Sequence, residues 1–230
     1  MKKLILSGIT LFAYSAAIAQ NQAILSQVGR QQNSTQNQAG SVLFSQIIQG
    51  SGGAIDVNTN NTALTDQTGI QQRAIVNQSD NADFNQATII QRGGGAEANT
   101  ALINQQNNSG GSSFRRALAD IGVAETGNYG YILQQGVGNH SSINQNSVSQ
   151  GNYGSVIQYG TANTQADIIQ STNSIGNLAQ IRQGTAESPA SGNDAVITQQ
   201  NVSSSNEALI TQLGSDNTAS IQQTNSSLSN

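Results

Sequence analysis

The phrase Asn-x-Ala-x-Ile-x-Gln recurs in pairs along most of this chain, and no other feature constrains its fold as much. The clearest pair is Asn206, Ala208, Ile210, Gln212 followed by Asn217, Ala219, Ile221, Gln223. Further pairs stand at 177–183 with 193–199, 152–158 with 164–170, and 128–134 with 139–145. Before them come 85–91 with 99–105 and 61–67 with 72–78. A weaker pair occupies 21–27 and 32–38, and residues 39–60 read as one further, degenerate unit through Leu43, Ser45, Ile47 and Gln49. Self-similarity at such a period means a stack of similar units, about seven or eight here, whose function lies in stacking rather than in a pocket.

Within each phrase the named residues share parity, so in a strand they point to one face and the intervening residues to the other. Glu207, Leu209 and Thr211 are thus expected outside, and Ala208 and Ile210 inside. The fold class predicted is all-β: a β-solenoid of strand–turn–strand rungs with parallel, in-register, amyloid-like strands. One rung cannot fold alone. Ordering it costs about 1–2 kcal/mol per residue, and each fully buried Ile returns only about 1.5–3 kcal/mol. Stacking supplies the rest, with Ile and Ala in columns and Asn and Gln in amide ladders. The ladder and self-assembly positions are Asn21, Gln27, Gln67, Gln78, Gln91, Gln105, Asn128, Gln134, Asn139 and Gln145. They continue through Gln158, Gln183, Gln199, Asn206, Gln212, Asn217 and Gln223, with Ile210 and Ile221 as the apolar members of the last rung.

From Gln78 to Asn85, Gln145 to Asn152, Gln170 to Asn177 and Gln199 to Asn206 the step is always seven residues. Variable lengths fall inside the units, at 92–98, 184–192 and the longest insertion, 106–127. One corner geometry is therefore constant and the other tolerates insertion. Gly29, Gly69, Gly93, Gly136, Gly160 and Gly214 each sit two residues past a Gln, where a tight reversal favours positive φ.

Residues 1–19 read as a secretory signal: Lys2 and Lys3, an apolar stretch from Leu4 to Phe12, and Ala17-Ile18-Ala19 before Gln20. The repeat domain is 20–230. No later segment is apolar enough to span a membrane. Removing the signal leaves six arginines against twelve acidic residues, a net charge of −6 without the clustered basic face that nucleic acid requires. The chain has no Cys, so disulfides cannot hold it. About a quarter of it is Asn or Gln, which by itself suggests disorder or amide-rich aggregation. The ordered placement of Ile, Ala and Gln argues against simple disorder. His140 lacks the partners of a catalytic or metal site, and no hydrolase, phosphate-loop or calcium-loop motif occurs. No enzyme activity, cofactor or metal is expected. Phe114-Arg115-Arg116-Ala117-Leu118 is expected as loop, too short for a stable helix by itself. Tyr129 and Tyr153 share an outward position in consecutive rungs and should stack.

The spacing Ser/Asn-x5-Gln-x4-Asn-x5-Gln resembles the curlin repeat of curli subunits, the extracellular functional amyloid of bacterial biofilms. It is complete at Asn128-Gln134-Asn139-Gln145 and at Asn206-Gln212-Asn217-Gln223. At Asn61-Gln67-Gln72-Gln78 a Gln replaces the second Asn, and Asn152-Gln158-Asn163-Gln170 is one residue longer. The turn insertions exceed the compact family pattern, and the repeats follow Gln20 without the Gly-rich export segment of curli subunits. The resemblance implies a secreted, cell-surface fibre subunit that polymerises with itself, with related curli subunits and a curli-type secretion channel as partners. A monomeric β-solenoid surface adhesin is the alternative reading, and clustered acids for polysaccharide processing are absent.

Overall fold

The computed structural model describes residues 20–28, 32–50, 61–79, 85–94, 98–105, 127–146, 151–172, 176–200 and 205–224. The signal at 1–19, nearly all of the 106–127 insertion, and Gly29 lie outside these residues. The described chain is all-β. Its strands are β1 (Gln22–Gln27), β2 (Asn33–Gln49), β3 (Thr62–Gln78), β4 (Gln86–Gly93), β5 (Asn99–Gln105), β6 (Tyr129–Gly136) and β7 (Asn139–Asn146). They continue with β8 (Tyr153–Ala162), β9 (Thr164–Ser171), β10 (Leu178–Gln183), β11 (Ala190–Ser191), β12 (Asp194–Gln200), β13 (Glu207–Gln212) and β14 (Thr218–Gln223).

These strands form a β-solenoid with two parallel columns. The first column runs from the start of β2 through the start of β3, then β4, β6, β8, β10 and β13. The second runs from β1 through the ends of β2 and β3, then β5, β7, β9, β12 and β14. Equivalent phrase positions pair directly: Gln67 with Gln91, Gln91 with Gln134, and Gln134 with Gln158. This is the in-register parallel stacking that the parity of the phrase predicts. Alternation holds as well: along β13, Glu207, Leu209 and Thr211 are exposed while Ala208, Ile210 and Gln212 are buried.

The apolar sides of the two columns face each other and close one continuous core. Ile89, Ile103, Ile132, Ile143, Ile168, Ile181 and Ile197 are its large, essentially fully buried members. Small Ala side chains alternate with them, at 63, 74, 87, 101, 166, 179 and 195, so the columns approach closely. The N-terminal rungs depart from this pattern. Gln36 and Thr65 occupy Ile places, and the Ser45 and Thr65 hydroxyls hydrogen-bond at 2.5 Å inside the stack.

The first units are framed differently from their sequence spacing. Segments 21–27 and 32–38 are not two halves of one rung, and the described part of 39–60, residues 39–50, is not a separate unit; 51–60 lie outside the described residues. Instead β2 aligns residue for residue with β3, so 32–38 and 43–49 form the rung. Strand β1 lies on the second half of β2, pairing Gln22 with Phe44 and Gln27 with Gln49. The cause is the corner: Gly40 and Val42 have positive φ, as do Gly69 and Gln71 in β3. The five-residue steps on either side of 32–38 are alike in sequence, so spacing alone could not distinguish the two framings.

Candidate functional site

Two glutamine ladders run the length of the stack. In the second column each Gln Nε2 donates to the Oε1 of the next: Gln27 to Gln49 at 2.7 Å, Gln49 to Gln78 at 2.9 Å, and Gln78 to Gln105 at 2.8 Å. The series continues from Gln105 to Gln145, Gln145 to Gln170 and Gln170 to Gln199, each at 2.9 Å, and ends with Gln199 to Gln223 at 2.7 Å. In the first column Gln38, Gln67, Gln91, Gln134, Gln158, Gln183 and Gln212 are linked likewise, at 2.8–3.0 Å. Every link donates from the N-terminal rung toward the C-terminal one, so both ladders have the same polarity.

The amide hydrogens also bind backbone. Gln145 Nε2 lies 3.0 Å from Tyr129 O and 3.1 Å from Asn152 O; Gln158 Nε2 lies 3.1 Å from both His140 O and Thr164 O. Each interior Gln therefore joins its own column to the next rung and to the facing column. These bonds let the ladder amides sit in the core, since a buried polar group without partners would cost about 1–3 kcal/mol; Gln72 Oε1, at an Asn place of the second column, is buried without one.

Asparagine forms the amide ladder expected for it only in part: in the second column Asn139 Nδ2 donates to Asn99 Oδ1 at 3.2 Å and Asn217 Nδ2 to Asn193 Oδ1 at 3.3 Å, whereas the first column bonds side chain to backbone. In the first column the Oδ1 of each Asn accepts the backbone N–H of the next Asn: Asn85 onto Asn61 at 2.9 Å, Asn128 onto Asn85 at 2.8 Å, and Asn152 onto Asn128 at 3.0 Å. Asn177 onto Asn152 and Asn206 onto Asn177 follow, both at 2.8 Å. At the mouth of a first-column strand the Asn side chain turns to the backbone just above it, whereas the Gln at the end of that strand meets its equivalent in the next rung. In the second column the Nδ2 of Asn99 and Asn193 reaches the carbonyls of Gly136 and Gly214 in the following rung.

Most predicted ladder residues are brought together in the interior. Gln67, Gln78, Gln91, Gln105, Asn128, Gln134, Asn139, Gln145, Gln158, Gln183, Gln199 and Asn206 are buried. Asn21 and Gln27 at one end, and Asn217, Ile221 and Gln223 at the other, are exposed or half-buried. A third ladder was not foreseen: on the outer face Asn77 donates to Asn104 at 3.0 Å and Asn104 to Asn144 at 2.9 Å. Its signal was present, because each of the three directly precedes a ladder Gln.

Tyr129 and Tyr153 stack as expected, centroids 5.0 Å apart and planes 3° from parallel. Burial pushes the Tyr131 and Tyr153 hydroxyls above the ordinary tyrosine range; Tyr153 and Tyr159 add to the rise for Tyr131, while a hydrogen bond from Ser155 partly offsets it for Tyr153. Arg73 lies over the Phe44 ring at 5.4 Å. The glycine after each first-column Gln has two roles. Gly69 takes φ +130°, and a Cβ there would overlap the Gly93 carbonyl. Gly160 has no positive φ and is small for a different reason: a Cβ would run into Asn139 and Thr164.

At both ends the ladders stop among the described residues. Strand β1 pairs only β2, β13 only β10, and β14 only β12. Residues 203–224, which hold this C-terminal rung, match the family model of the curlin associated repeat. No curated protein matches the chain, and no solved structure does. The matched segment holds β13 and β14, whose outer edges pair no other strand among the described residues, and the same ladder geometry recurs in the rungs beneath it. At family level this fits a curli-like subunit. No described helix is long and apolar enough to cross a membrane.

Proposed function

We propose that this protein is an exported structural subunit of curli-like extracellular fibres, acting in biofilm matrix and cell adhesion and polymerising by end-to-end stacking of rungs. The supporting observation is that, among the described residues, the strand edges at both ends pair nothing further and present the same ladder chemistry as the interior. A solenoid that remains a monomer usually covers such edges with polar caps. Here Ile210 and Ile221 stand in the last rung as their counterparts stand in the middle, and β14 offers a row of backbone groups to a next strand. The partner is a second copy of the chain; related curli subunits and a curli-type outer-membrane channel complete the set that the resemblance implies.

The test is incubation of the purified protein, followed by thioflavin fluorescence and fibre diffraction. Fibres with a reflection near about 4.7–4.9 Å along their axis are expected. Persistent monomer without cross-β reflections would instead favour the surface adhesin, which uses its flat face rather than its ends.

A further inference from the structure

The described stack holds a half-rung: β1 extends the second column by one strand, and nothing described lies beside it in the first. At the other end β13 and β14 finish the two columns together. Resting on the fibre reading above, we propose that each copy adds with a half-turn about the stack axis, so that the incoming β1 pairs β13 and the start of the incoming β2 pairs β14. The columns change sides at every junction.

Three observations carry this. First is continuity. Without rotation, the incoming β1 lands on β14 and leaves a one-strand gap over β13. With the half-turn, β1 becomes the next strand of the winding and no gap arises.

Second is the ladder ends. Gln212 Nε2 binds Asp194 O and Asn217 O, at 2.9 Å each, and Gln223 Nε2 binds Glu207 O at 3.1 Å. Each lacks the onward Gln that interior members reach. Gln27 and Gln38 begin the ladders as donors, to Gln49 and Gln67. The half-turn sets Gln212 against the incoming Gln27 and Gln223 against the incoming Gln38. Straight addition joins only Gln223 to Gln27 and leaves the other two without a ladder partner.

Third is the apolar surface at the ends. Leu209 is 58% exposed and Leu213 62%, against 50% for Leu25 and 41% for Val28. In the rotated register Ile24 covers Leu209, Val28 covers Leu213, and Leu25 falls on Ile210. Straight addition sets Ile24 on Ser220 and leaves Leu209 and Leu213 in water. Gln36 against Ile221 is the mismatched inward pair of the rotated junction, and Gln36 already pairs a polar Thr65 within the chain.

The absence of native cysteine allows a direct test. Neighbouring strands lie about 4.7–4.9 Å apart, inside the Cα range of a disulfide. Ser26, Thr211 and Gln222 are outward and exposed. Fibres of the Ser26→Cys/Thr211→Cys protein, mildly oxidised, should lose their monomer band to a covalent ladder on a non-reducing gel. Fibres of Ser26→Cys/Gln222→Cys should stay monomeric on the same gel. The reverse result, or no linkage by either pair in fibres that do form, overturns the half-turn and leaves the fibre reading intact. Unsubstituted protein that never polymerises overturns both. Should either cysteine variant fail to assemble under reducing conditions, the helical symmetry of unsubstituted fibres by electron cryo-microscopy decides. About a half-turn per subunit is expected, and subunits related by translation with only the sheet's own twist overturn the proposal.

Discussion

Ile132 and Ile143 in the middle of the stack are fully buried, with a layer above and below each. Ile221 occupies the same place in the phrase at the C-terminal edge and is only half-buried, and Gln223 is likewise. The residues are alike and their environments are not. Burial in this fold is conferred by the next layer rather than by the segment's own sequence. An edge strand is therefore an interior strand that lacks its neighbour, and substitutions that are equivalent in sequence should have different consequences in the two places.

The sharpest separation is expected from buried charge. Ile132→Lys places an unpaired ammonium in the core and should cost several kcal/mol, more than the roughly 1.5–3 kcal/mol that one Ile contributes. Loss of the folded circular dichroism signal and of chemical-denaturation cooperativity is the measurement. Ile210→Lys with Ile221→Lys should leave the folded subunit detectable and stop fibre extension. Deletion of Ser109 to Glu125 should leave extension running. Assembly that survives the lysine pair and fails in the deletion would overturn end-to-end growth.

Glycine sharpens the comparison next. Gly69→Ala meets the Gly93 carbonyl in addition to an unfavourable φ, whereas Gly214 at φ +87° has nothing within 4 Å. Gly214→Ala should cost only the backbone penalty of about 1–2 kcal/mol, and Gly69→Ala distinctly more. Paired denaturation curves distinguish them, and equal midpoints would contradict the close approach.

Amide loss is expected to be smaller. Gln134→Leu interrupts the bonds between Gln91 and Gln158, at 2.8 and 3.0 Å. A cost of about 1–3 kcal/mol and slowed assembly should follow, while the outward Thr211→Leu should change stability little. Equal assembly rates for the two would count against the inward placement of Gln134.

The smallest effect concerns pH. Burial raises the Tyr131 and Tyr153 hydroxyls, so the folded state favours their neutral form. Their contribution is complete below the unfolded tyrosine value of about 10 and is lost as pH climbs through the higher folded values. Alkaline titration followed by tyrosinate absorbance should show these two rings ionising above the ordinary tyrosine range, with destabilisation as they do. Ionisation of Tyr131 and Tyr153 in the ordinary tyrosine range would contradict it.

The strands, their register and the glutamine ladders were legible because a period of two fixes the face, and a Gln on the inward face of every layer has only its equivalents to meet. Three features were not. The framing of 21–49 depended on the corner at Gly40 and Val42, whose spacing resembles the steps on both sides. The asparagine chemistry of the first column depended on the side chain's place at the mouth of the strand, since Asn85 and Gln91 share parity yet find different partners. The outer Asn77, Asn104 and Asn144 series lies on the face opposite the inward parity, where exposure to water leaves an amide free to bond solvent and the phrase sets no partner for it.

The register has a consequence for how the molecule comes into being. Bonded ladder partners are separated by 24 residues at Gln67 and Gln91, and by 43 across the longest insertion, at Gln91 and Gln134. No strand waits for a distant part of the chain. A polypeptide delivered from its N-terminus can lay down each layer on the one that has just formed, so folding advances as a front. The completed portion is always a template, and the molecule reaches its native form in the order in which it emerges.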